Sequence, residues 1–216
     1  MAHGWIVGVA LPLMAGLLYA EKRDSLVGRL CTKTPLSLLF VAAVFLQPDS
    51  DAGYFQWLAA GLVLCAIGDV LLAVGDLRTF RWGLGAFLLG HLCYTPAFWG
   101  IGEFGWSAAA TAGVAFGMGI SVYRWLLPNL GSMRIPVTAY IVVISAMLCT
   151  ASMVAGAKAL PVAGRAMVGG GALLFYLSDL FVARQRFVTP SFANRLFGLP
   201  LYYTGQFLLA YSVGFF

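Results

Sequence analysis

The sequence predicts an all-α, polytopic integral membrane protein built as a bundle of eight transmembrane helices. Three observations carry that reading. Of 216 residues, 61% are apolar and only 10% charged, against roughly 45–50% and 25% in soluble domains. The apolar residues fall in runs close to the ~20 residues needed to cross ~30 Å of hydrocarbon. The breaks between runs are short, so residues 1–216 are expected to form a single membrane domain with nothing soluble appended.

The first span, about 4–20, ends at Glu21-Lys22-Arg23 and lacks the positive leader of a signal peptide, so it reads as a retained helix. The second covers about 29–47 and stops at Pro48-Asp49. The third, about 54–75, is closed by Gly75-Asp76. The fourth covers about 80–101, followed by Gly102-Glu103, and the fifth about 105–127, followed by Pro128. The sixth, about 134–156, lies between Arg134 and Lys158. The seventh, about 161–185, runs from Pro161 to Arg184-Gln185-Arg186, and the eighth covers about 196–216.

Charge orients the bundle. The loops joining spans 1–2, 3–4, 5–6 and 7–8 hold Lys22, Arg23, Arg29, Lys33, Arg78, Arg81, Arg124, Arg134, Arg184, Arg186 and Arg195, whereas the other side holds only Lys158 and Arg165. This asymmetry predicts both termini outside the cytoplasm, in what is expected to be a bacterial inner membrane. The net charge of +5 is thus a topology signal, and no nucleic acid is expected as a partner. Cys31, Cys65, Cys93 and Cys149 show neither CxxC pairing nor metal-ligand spacing and read as small apolar helix residues.

Against this background the informative residues are the polar ones inside spans. Of eight carboxylates, six sit in loops or at helix ends, but Asp69 and Asp179 do not. A charge at the bilayer centre costs at least ~2.5–3.5 kcal/mol, so such residues face a bundle interior or wet cavity and mark function. Hydrogen-bonded glue between helices returns only ~0.6 kcal/mol on average. The strings LVLCAIGDVLLA and ALLFYLSDLFVA place the two Asp alike in the third and seventh spans, a weak parallel repeat.

At 1.5 Å per residue, Asp69 and Asp179 lie about 10 Å from the basic end, His91 about 16 Å and Lys33 about 6 Å. Tyr140, Tyr202, Tyr203 and Gln206 fall at about 9–16 Å, so polar groups gather in one layer. His91 and Tyr94 are three apart, as are Tyr176 and Asp179, so each pair shares a helix face. Gly169-Gly170-Gly171 permits close helix approach. His3 and Asp76 sit at ends, where solvated polar groups are ordinary; Asp76 shares the Asp69 face and lines at most a mouth.

Two carboxyl groups in unlike surroundings can divide acid and base roles about one water, and a membrane-embedded site favours a lipid. Zinc hydrolases of the alkaline ceramidase or adiponectin-receptor type need three histidines and this chain has two. The YD and GxGD signatures of intramembrane aspartyl proteases are absent. A metal held by Asp69, His91 and Asp179 is a lesser alternative; the expectation is no metal and no cofactor. The rival class is a proton- or ion-coupled transporter that uses the same Asp/His cluster.

The strings GLVLCAIGDVLL, FLLGHLCYTPAF, ALLFYLSDLFVARQRF and YYTGQFLLA, in this order over eight spans, resemble the YhhN-like family, the lysoplasmalogenases. One departure is Lys33-Thr34-Pro35, where the family pattern has Lys directly before Pro. The resemblance implies hydrolysis of the vinyl ether bond of lysoplasmalogens, such as lysoplasmenylethanolamine and lysoplasmenylcholine, to a fatty aldehyde and a glycerophospho-alcohol. That chemistry suits the polar cluster: Asp69 and Asp179 are expected to divide the acid and base roles, with His91 orienting water or relaying a proton, as the catalytic group. Lys33, Tyr94, Tyr140, Tyr176, Ser178, Tyr203 and Gln206 are expected to meet the lysophospholipid substrate, with Lys33 and the basic loop residues holding its phosphate head group near the cytoplasmic mouth. Membrane lipid is its surroundings, and no obligate protein partner is expected.

Overall fold

The computed structural model describes residues 4–47 and 51–216; His3 and Asp49 lie outside the described residues. The described residues form eight α-helices and no strand. They are α1 (Gly4–Lys22), α2 (Leu26–Phe45), α3 (Ala52–Val74), α4 (Leu77–Ile101), α5 (Trp106–Leu126), α6 (Arg134–Gly156), α7 (Val162–Ala183) and α8 (Phe192–Ser212). One wide turn, Arg184–Val188, extends α7.

Several helices begin earlier than the apolar runs suggest. α2 opens at Leu26, before Arg29, α4 at Leu77, before Arg78 and Arg81, and α8 at Phe192, before Arg195. A long basic side chain can reach out of the apolar layer while its backbone stays helical, so an Arg need not mark a loop. The real starts carry side-chain caps. Ser25 accepts from the Gly28 N–H, Asp51 from Tyr54, Asp76 from Thr79 and Ser191 from Ala193; each satisfies an amide that the first turn leaves without a partner. Asp76 is therefore a helix cap.

Six helices (α1, α2, α3, α4, α6 and α7) are long and apolar enough to cross a membrane. The chain is a multi-spanning helical membrane protein. α8 has 21 residues but buries Asn194, Tyr202, Tyr203 and Gln206 against the bundle, which lowers its hydropathy without exposing polar groups. α5 has 21 residues, many of them Ala and Gly. All six tryptophans are exposed and lie in the first or last six residues of a helix, where amphipathic rings suit a membrane–water interface.

Two helix pairs pack backbone to backbone. A Cβ added at Gly171 would lie 2.9 Å from the Gly205 carbonyl oxygen, and one at Gly205 would lie 2.8 Å from that of Gly171. The α3–α4 pair meets the same way, with Gly61 against the Gly90 carbonyl at 3.0 Å and Gly90 against that of Gly61 at 3.1 Å. Without a hydrophobic driving force between helices in lipid, such contact surfaces are what hold them together. Of the run 169–171, Gly171 alone meets the α8 backbone; Gly169 faces Ala155 on α6.

The two pairs match position by position. Asp69 stands eight residues after Gly61, and Asp179 eight after Gly171. Gly83 and Gly198, each seven residues before the crossing glycine of its helix, approach the carbonyls of Gly68 and Ser178, the residues just before the two Asp. The α3–α4 hairpin thus recurs as α7–α8, and each copy carries one carboxylate at the same depth from its glycine crossing.

Candidate active site

Asp69 and Asp179 line one cavity of about 100 Å³. Its wall draws on α2, α3, α4, α5, α6, α7 and α8 and is mostly apolar, with Leu72, Leu84, Phe87, Val122 and Ile141 among the lining side chains.

The two carboxylates sit in unlike company. Asp69 is buried, and the Lys33 ammonium lies 2.9 Å from its Oδ1. Its Oδ2 accepts from the Ser37 hydroxyl at 2.6 Å and from the Tyr202 hydroxyl at 2.7 Å. Because Ser37 gives its only proton to Asp69, the Tyr203 hydroxyl, 3.0 Å from Ser37 Oγ, is the donor of that contact. On the other side the Gln206 amide donates to the Tyr202 oxygen at 3.2 Å, and the Tyr94 hydroxyl donates to Gln206 Oε1 at 2.8 Å. Every donor in both chains points toward Asp69. Three donors, one of them the Lys33 ammonium, hold the two oxygens of Asp69 in a fixed orientation.

Asp179 has one hydrogen bond among the described residues, from the Tyr140 hydroxyl to Oδ2 at 2.6 Å. No Lys, Arg or His among them forms an ion pair with it. The repeated hairpins make the contrast plain. Lys33 comes from α2, which packs on α3, and Tyr140 comes from α6, which packs on α7. The helix beside one copy supplies a cation and the helix beside the other a neutral phenol.

Of the residues that the sequence singles out, Lys33, Asp69, Tyr140, Tyr176, Ser178 and Asp179 line this cavity. Lys33 is buried within α2 and engaged with Asp69; it belongs to the site and not to a flanking loop. The Tyr176 hydroxyl donates to the Ala115 carbonyl and that of Ser178 to the Phe175 carbonyl. Tyr94, Tyr203 and Gln206 stand behind the wall and reach Asp69 through the chains above.

His91 also lies behind the wall. Its Nδ1 is 2.5 Å from the Phe87 carbonyl oxygen, so that nitrogen carries the proton and Nε2 is an acceptor. Nε2 is buried with no hydrogen-bond partner among the described residues. The ring packs edge-on to Phe175 at 4.6 Å and to Tyr140 at 5.3 Å between centroids. Asp69, His91 and Asp179 do not converge as ligands: among the described residues no three His, Cys, Asp or Glu side chains gather closely enough to hold a metal ion.

Two polar contacts escape the sequence reading as site members, Ser37 and Tyr202. Ser37 is four residues after Lys33, on the same face of α2, so the spacing carried the signal. For Tyr202 the only signal is its depth, shared with Tyr203.

A second, wider cavity of about 570 Å³ lies at the basic end, lined by Glu21, Lys22, Asp24, Arg29, Arg186 and Arg195 among others. The two cavities share Leu72, Phe80, Val182 and Arg195.

Residues 28–213 match the family described as the YhhN family. The chain belongs to the YhhN family. Relatives carry a consistent name. A protein named lysoplasmalogenase from Mycobacterium bovis is 33% identical over 94% of this chain and 80% of its own length. Lysoplasmalogenase TMEM86B from Rattus norvegicus is 32% identical over the same shares, and that from Homo sapiens 33% identical over 82% of this chain and 72% of its own. No solved structure matches the chain. The YhhN match takes in all of α3, α4, α6, α7 and α8, and with them both carboxylates.

Proposed function

We propose that this chain is a lysoplasmalogenase, which hydrolyses the vinyl ether bond of a lysoplasmalogen within the membrane to release a fatty aldehyde and a glycerophospho-alcohol. The observation that carries the reading is the pair of unlike carboxyl groups on one apolar cavity. The names of the YhhN relatives support the same substrate.

The two roles follow from the partners. Asp179 has no counter-charge among the described residues and holds the proton; as general acid it transfers that proton to the vinyl carbon remote from oxygen. The double bond is consumed and an oxocarbenium ion forms at the carbon bonded to oxygen, the same kind of cation that paired carboxyls serve in glycoside hydrolysis. Asp69, ionised and fixed by Lys33, Ser37 and Tyr202, accepts a proton from the water that attacks this carbon. The hemiacetal then breaks its bond to the glycerol oxygen, which takes the proton held by Asp69 while the hemiacetal hydroxyl gives its proton to Asp179; the aldehyde forms and both carboxyls return to their starting states. His91 is a positioning residue: its ring braces Tyr140, whose hydroxyl holds Asp179. Tyr94, Gln206 and Tyr203 position Asp69 in the same sense. Tyr176 and Ser178 shape the chain slot.

All eight helices cross the bilayer in this reading. α5 and α8 each have 21 residues, about 31 Å of helix, and α8 is the partner of the spanning α7. The basic end faces the cytoplasm, which sets both termini on the far side, and residues 1–216 act as one membrane domain.

Purified protein in liposomes containing lysoplasmenylethanolamine tests the function. Aldehyde and glycerophosphoethanolamine are expected to appear in equal amounts, and a reaction run in D₂O is expected to leave one deuterium on the aldehyde carbon next to the carbonyl. Flux of an ion or solute across the same liposomes with no aldehyde formed would assign the Asp cluster to transport instead.

A further inference from the structure

Leu72, Phe80, Val182 and Arg195 line both cavities and form the boundary, or neck, between them. Three of these are apolar. Arg195 is the only charged residue common to both linings, and its side chain retains 29% of its exposure. Its Nε lies 3.4 Å from Glu21 Oε2. That leaves the two Nη groups without a hydrogen-bond partner among the described residues, a planar fork of donors with nothing to hold.

Three other arginines nearby each engage a group of the protein. Arg29 donates to the Ala73 carbonyl at 3.1 Å and to Asp24 at 2.6 Å. Arg186 lies over the Phe80 ring, 4.6 Å from its centroid. Arg184 donates to Asn194 at 2.8 Å. Lys22 is exposed and lines the outer cavity only.

We infer that Arg195 is the phosphate-binding residue of this site: its free Nη edge takes the phosphodiester of a lysophospholipid whose chain enters the inner cavity and whose head group lies in the outer one. The inference rests on the lysoplasmalogenase reading for its ligand class. A glycerol unit separates the ether bond from the phosphate, so a ligand with that bond beside Asp69 and Asp179 carries its phosphate back to the neck. A guanidinium matches two phosphate oxygens with two parallel N–H bonds, and at a half-buried neck such charge-assisted bonds weigh more than on an open surface. Phe80 stands at the equivalent place of the α3–α4 hairpin, seven residues plus three before Gly90, as Arg195 stands before Gly205. Only one of the two matching sites therefore carries the charge, and the phosphate has one seat.

Binding, measured without turnover, separates this inference from the reading it rests on. The probes are a saturated 1-O-alkyl-glycerophosphocholine, which has no vinyl ether to cleave, and the matching 1-O-alkylglycerol, which has no phosphate. Arg195→Gln is expected to weaken the phospholipid about ten- to hundredfold, as loss of hydrogen bonds to a charged group does, and to leave the alkylglycerol unchanged. Glu21→Gln breaks the same ion pair but keeps the fork, and is expected to stay within about threefold of the parent chain, as a partly exposed pair predicts. Equal weakening of both probes by Arg195→Gln, no weakening of either, or the same loss in Glu21→Gln would overturn the assignment. If the parent chain releases no aldehyde from lysoplasmalogen yet shows the Arg195-dependent preference, the hydrolase reading fails and the phosphate seat stands. If aldehyde forms but the preference is absent, the reverse holds.

Discussion

Lys33 and Asp69 form the one ion pair among the described residues whose two side chains are both buried, at 7% and 2% exposure. Their desolvation is offset by each other and by the donors of Ser37 and Tyr202. Removing one partner leaves an uncompensated charge, which typically costs about 3–5 kcal/mol. Lys33→Met is therefore expected to lower thermal stability sharply, whereas Lys33→Met combined with Asp69→Asn recovers most of the loss. Thermal unfolding of the single and double variants in detergent checks this; additive losses would mean that the two residues do not share a bond. The residue-level site was partly legible beforehand because a carboxylate stands out in so apolar a chain. Ser37 did not stand out, since Ser is ordinary inside membrane helices, and Tyr202 stood out only by its depth in the polar layer; the fold alone brings both to Asp69. His91 drew attention by its company along the sequence, yet it does not line the cavity and packs instead against the rings of Phe175 and Tyr140, which no single-helix periodicity reveals.

Among the elements, the glycine crossings set how α7 meets α8. Gly171→Ala places a methyl 2.9 Å from the Gly205 carbonyl oxygen, a backbone atom that cannot swing aside, and overpacking of this kind costs about 1–3 kcal/mol. Gly170→Ala meets only Leu208 Cδ1 at 3.8 Å and is expected to be neutral or stabilising by about 0.4–1 kcal/mol. The pair of variants, one residue apart, reads the packing directly by thermal shift; equal effects would remove the crossing from the account. The α4 cap offers a pH test. The Thr79 N–H holds the Asp76 carboxyl below its ordinary value, so its contribution is present at neutral pH and fades as pH falls through that lowered value. Asp76→Ala is expected to unfold earlier than the parent near neutral pH, with the gap closing in acid; a gap that widens in acid would contradict the cap. Helix existence was readable from apolar run lengths. Helix starts were not, because Arg29, Arg78, Arg81 and Arg195 look like loop residues until their side chains are seen leaving an unbroken helix. The spacing from glycine to Asp, eight residues in both α3 and α7, lay in the sequence as a sign of the repeat, but which glycines touch is a property of the folded pair.

For the whole molecule, two hairpins of one design each bring a carboxyl to a single cavity, and the proposed reaction draws on their divergence. The helix packed beside one copy, α2, gives its carboxylate a lysine, and the helix beside the other, α6, gives only a tyrosine, so a near-symmetric frame holds two carboxyls in unlike company. The same reading requires an even number of crossings. Reporter fusions at residue 1 and residue 216 are expected to fall on the same side of the membrane, with fusions in the turn after α1 and the turn after α7 on the opposite side. Termini on opposite sides would mean that α5 or α8 does not cross.

The most direct test of the central claim is the initial rate of aldehyde release from lysoplasmenylethanolamine by Asp69→Asn and Asp179→Asn, each compared with the parent chain at equal amounts of folded protein. Each variant is expected to lose about 10²–10⁴-fold, the range that a positioned acid or base contributes. A rate within about tenfold of the parent in either variant, below the least that such a group supplies, would contradict the division of labour between the two carboxyls.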